Sequence, residues 1–68
     1  MNEEILNLSI RAFLKNVGIK SQREIEHCVA KAIANKKLKG NEELPVSMTL
    51  KLAKADLELK FEDVICLE

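Results

Sequence analysis

Sixty-eight residues are about half the length of an ordinary domain, so the chain reads as one small domain over residues 1–68. Apolar residues make up 47% of it, enough for a core, while the 11 basic and 11 acidic side chains cancel, which argues against a disordered tail and against bulk coating of nucleic acid. Two phenylalanines with no Trp and no Tyr leave few rings to stack bases or to line a ligand pocket.

From Asn2 to Val17 the apolar residues Leu6, Ile10, Phe13, Leu14 and Val17 recur at helical spacing on one face. Asn2 suits the N-cap, Glu3 and Glu4 suit the positive end of the dipole, and Gly18 is free to take the left-handed position after the last turn. Ser21-Gln22-Arg23-Glu24 then has the form of a capping box and predicts a second helix, running to about Asn35, with Ile25, Cys28, Val29, Ala32 and Ile33 on one face. Only Gly18 to Lys20 lie between the two, so they are expected to meet in a helix-turn-helix corner.

Lys36 to Pro45 reads as a loop turning at Gly40-Asn41, with Leu38 and Leu44 as apolar anchors. After Pro45 the period becomes two: Val46, Met48, Leu50 and Leu52 alternate with polar residues, as do Leu57, Leu59 and Phe61. Ala53 to Asp56 joins these runs into an antiparallel hairpin. Val64 to Leu67 either continues the second strand or forms a third after a break at Glu62-Asp63. Antiparallel counting from the turn pairs Leu52 with Leu57 and carries residues 64–67 past Glu42 to Pro45. The expected fold class is α+β: two N-terminal helices in a helix-turn-helix corner packed on a C-terminal antiparallel β-hairpin or short three-stranded sheet.

The stretch SIRAFLKNVGIKSQREIEHCVAKAI from Ser9, with its Gly18 and its SQREIE of Ser21 to Glu26, and the later LKGNEEL from Leu38 resemble a family of small bacterial proteins of similar length and unknown function. These marks are structural punctuation, and the resemblance implies no catalytic or binding residue. It implies a bacterial, cytoplasmic setting.

Charge is uneven: residues 1–40 carry 8 basic and 4 acidic side chains, and residues 41–68 carry 3 basic and 7 acidic. In the basic part, Arg23, His27 and Lys31 form an i, i+4, i+8 ladder followed by Lys36, Lys37 and Lys39. With the corner and the hairpin, this ladder suggests a winged-helix-like nucleic-acid binder, although Glu24 and Glu26 occupy the turn that would meet the duplex.

Catalysis is not expected. His27 is the single histidine and no Ser, Cys or carboxylate is spaced to pair with it. Asp56, Glu58, Glu62 and Asp63 resemble a metal cluster by count, but Glu58 and Glu62 alternate along a strand and the glycine of a calcium loop is missing. Neither a metal nor a cofactor is expected, and two glycines make no phosphate loop. Cys28 and Cys66 read as reduced thiols of a cytoplasmic protein, and no apolar run approaches the roughly 18 residues that span a membrane.

A third class is a protein-interaction or self-associating module. Ile5, Leu8 and Ala12 make a second apolar stripe round the axis from the first, and the run Val64-Ile65-Cys66-Leu67 either clamps the loop or offers Val64 and Cys66 on an apolar edge to a second copy. The residues favour a non-enzymatic binding or structural module, with the winged-helix-like nucleic-acid binder as the alternative.

Overall fold

A computed structural model describes all 68 residues, in the order α1 (Glu3–Ala34), β1 (Glu43–Leu52), a 3-10 turn (Ala53–Ala55) and β2 (Leu57–Cys66). The chain divides into two compact units, Met1–Lys37 and Leu38–Glu68.

The first unit is a single 32-residue helix, which replaces the expected pair of helices and their corner. Its start is built as predicted: Oδ1 of Asn2 accepts the amides of Glu4 at 3.0 Å and Ile5 at 3.2 Å, with Glu3 and Glu4 in the first turn. Gly18 keeps a helical backbone, and Ser21 and Glu24 lie inside the helix without capping anything. Each of these residues permits a break, but none compels one as a proline would. An interior glycine costs about 1 kcal/mol relative to alanine, whereas two new helix ends would leave orphan amides and carbonyls to be satisfied. Continuation is the cheaper solution. A row of half-buried side chains, Val17, Ser21, Ile25 and Val29, runs through the predicted break at i, i+4 spacing.

The left-handed helix ending expected at Gly18 is found at the far end of α1, as a Schellman motif. Past the cap residue Asn35, Lys36 adopts φ 62° and donates its amide to the Ile33 carbonyl at 3.0 Å, while the amide of Lys37 reaches the Ala32 carbonyl at 2.8 Å. A lysine thus sits where glycine is the usual residue.

In the second unit the loop is organised by one side chain. The Glu42 carboxylate accepts the amides of Lys39 at 2.8 Å, Gly40 at 2.9 Å and Asn41 at 3.2 Å, and Gly40 takes φ 109°, a conformation that suits a residue without Cβ. The Lys39 amide, followed by that of Gly40, holds the Glu42 carboxyl below the usual carboxylate range.

β1 and β2 form a two-stranded antiparallel sheet in the register that counting predicts, from Leu52 opposite Leu57 to Glu43 opposite Cys66. Asp56 closes the connection at φ 56°, tolerable for a short polar side chain, with its amide on the Ala53 carbonyl at 3.1 Å. There is no third strand and no break at Glu62-Asp63. β2 continues to Cys66, and the Leu67 amide adds a bond to the Glu42 carbonyl at 3.1 Å. The register puts the pairs Leu52–Leu57, Leu50–Leu59, Met48–Phe61, Val46–Asp63 and Leu44–Ile65 on one face. Lys51–Glu58, Thr49–Lys60, Ser47–Glu62, Pro45–Val64 and Glu43–Cys66 occupy the other. That outer face carries ion pairs Lys51–Glu58 at 3.5 Å and Lys60–Glu62 at 3.3 Å, too exposed to add much stability.

No side chain of the 68 is buried. The fold is α+β, but the residues predicted to form its core remain in contact with solvent.

Candidate interaction surface

Without a corner, the arrangement that suggested a winged helix is gone. Arg23, His27 and Lys31 do lie along one side of α1, but in the interior of a long helix, and Glu24 sits one turn from both Lys20 and His27. Lys36 and Lys37 form the left-handed helix ending, and the backbone of Lys39 is tied to Glu42, so these cations follow α1 as part of a turn and do not extend its ladder. All six side chains are exposed.

No group of three or more His, Cys, Asp or Glu side chains comes together to hold a metal ion. Cys28 and Cys66 are free and exposed. A shallow notch beside Glu3, Glu4, Asn7 and Leu8 is walled by the first turns of α1 alone. Asp56, Glu58, Glu62 and Asp63 are split by the pleat, with Glu58 and Glu62 on the outer face and Asp63 on the apolar one.

The surface that remains is apolar. On α1, Ile5 and Leu8 are each 65% exposed, with the small Ala12 one turn on, so the predicted second stripe is open to solvent. The main stripe is open as well: Leu6, Ile10, Phe13 and Leu14 are 46 to 53% exposed. On the sheet, Val64 and Cys66 belong to the outer face beside Pro45 and Glu43, apart from the main apolar surface. The larger patch is the opposite face, where Leu52, Phe61 and Leu59 are about half exposed. The period-two pattern that predicts a core face here is equally the signal of an interface face.

One charged group stands on this face. Asp63 pairs across the strands with Val46, and its Oδ1 accepts the amide of Val64 at 2.7 Å. It gives an otherwise apolar surface one acidic landmark. With continuation and a break at Glu62-Asp63 both open in the sequence, Asp63 has no assigned face until the register is seen.

No helix is long and apolar enough to cross a membrane. No curated protein and no solved structure matches the chain. A family model does match it, over residues 1–68, and the chain belongs to that family, the family of unknown function DUF6494.

Proposed function

We propose that this chain is a non-enzymatic interaction module whose apolar faces are closed by association. The observation that carries the reading is the absence of any buried side chain in a chain that is 47% apolar. The need exists within each unit: α1 is the only element of residues 1–37, and a two-stranded sheet is marginal in water by itself. Large open apolar faces of this kind mark interaction surfaces.

The two exposed, unpaired thiols fit a reducing bacterial cytoplasm, and that setting is part of the same proposal.

Binding of a hydrophobic fluorescent dye during dilution of the pure protein tests the reading. Dye binding should rise as association is lost, and the melt should broaden. A dilute chain that binds no dye and melts sharply would show that it closes its own core.

A further inference from the structure

From Leu6 to Ala32, one row of residues along α1 advances by four, three, four, four, four, three and four positions. The order of steps is the same from either end, so the row is symmetric about the level of Ile19, close to the middle of the helix. Two such helices laid antiparallel about that level put every member of the row opposite another member: Leu6 opposite Ala32, Ile10 opposite Cys28, Phe13 opposite Ile25 and Val17 opposite Ser21. Large side chains of the N-terminal half meet smaller ones of the C-terminal half. The mean step is about 3.7 residues, slightly longer than the helical turn, so the row winds slowly in the right-handed sense and suits a shallow right-handed pairing. The run of three consecutive fours departs from the heptad pattern of a left-handed parallel coiled coil.

Charge selects the same direction. Glu3 and Glu4 stand in the first turn, Lys31 in the last, and Lys36 and Lys37 directly after it. A parallel pair would gather the acids at one end and the lysines at the other. An antiparallel pair sets the acids of one helix beside the lysines of the next and opposes the two helix dipoles. The formal net charge of zero removes repulsion between copies.

We infer that the occupant of the main stripe of α1 is the same stripe of a second copy of this chain, running antiparallel and related by a two-fold axis near Ile19. This rests on the interaction-module reading and names its partner.

Sedimentation equilibrium of the full chain over a wide concentration range is the first measurement, and twice the chain mass is expected. Direction is read by cross-linking in a Cys66→Ser background. In the antiparallel pair the two Cys28 residues lie 18 helical positions apart, about 27 Å along the axis, so the background protein should stay uncross-linked on mild oxidation. Adding Ile10→Cys should give a covalent dimer through Cys28 of the second copy. Phe13→Asp should weaken the dimer at least about tenfold, while Ile5→Asp on the other stripe should leave its affinity unchanged.

A Cys28–Cys28 cross-link in the background protein overturns the antiparallel pairing. A chain that stays monomeric, binds dye and melts without cooperativity overturns self-association and leaves the module reading to a different partner. A monomer with a sharp, concentration-independent melt and no dye binding overturns both.

Discussion

In the hairpin, the large aliphatic residues from Leu44 to Leu59 fall on one face, because strand period and apolar period are both two. In α1 they spread over a main stripe and a second one with Ile5 and Leu8, and both are open to solvent. A sheet turns alternation into one flat surface with a polar back. A helix as long as this makes its hydrogen bonds along its own backbone, and it forms without deciding which side will be covered. Side-chain placement is therefore tightly constrained in the hairpin and weakly constrained in the helix.

Substitutions that exchange faces test this contrast most severely. Leu50→Asp, opposite Leu59, should destabilise the associated protein by about 2 to 4 kcal/mol, because closing the apolar face would remove the new charge from water unpaired. Ser47→Asp on the outer face should stay within about 0.5 kcal/mol. Urea midpoints for the two variants are the measurement, and equal values would mean that the faces are not distinguished.

Next in size is Lys36→Gly, expected to raise stability by about 1 kcal/mol, because the left-handed conformation at φ 62° strains any residue with a Cβ. Denaturant unfolding followed at the helix signal reads it, and a loss would place the end of α1 elsewhere. Gly18→Ala should give a gain of about 0.5 to 1 kcal/mol, since open space surrounds the position its Cβ would take and the backbone there is helical. A corner at Gly18 would turn that gain into a loss.

The smallest expected change is in the pH profile. Backbone amides favour the charged form of Glu42, so its folded pKa lies below the unfolded one. Its contribution is complete above the unfolded carboxylate range and is lost as pH falls through the lowered value. Glu42→Gln should flatten that acid limb of the stability curve, and a curve of unchanged slope would mean that the carboxylate does not hold the loop.

How much of this was legible in the sequence follows the same division. Alternation together with a four-residue connection determines a register, so Leu52–Leu57 and the pairing of 64–67 with 42–45 are recoverable by counting. Helix continuity is a competition between weak local preferences, and Gly18, Ser21 and Glu24 each advertise a break that the backbone is not obliged to make. Lys36 shows the converse. No residue preference marks a lysine as the left-handed terminus, and only the hydrogen bonds to Ile33 and Ala32 reveal it. For the candidate surface, periodicity identified the stripe from Leu6 to Val17 but assigned it to a core that needs a second helix to exist.

The connection at Ala53 to Asp56 also sets an order in time. The pair nearest the turn, Leu52 with Leu57, closes the shortest loop, and every further pair adds a slightly longer one. The hairpin is therefore expected to zip outward on the timescale of about 1 to 10 μs typical of such elements. The bond from Leu67 to the Glu42 carbonyl, farthest from the turn, is expected to form last and open first. Amide exchange should then show a gradient of protection along β2, highest beside the turn and lowest at the open end, where the loop held by Glu42 begins.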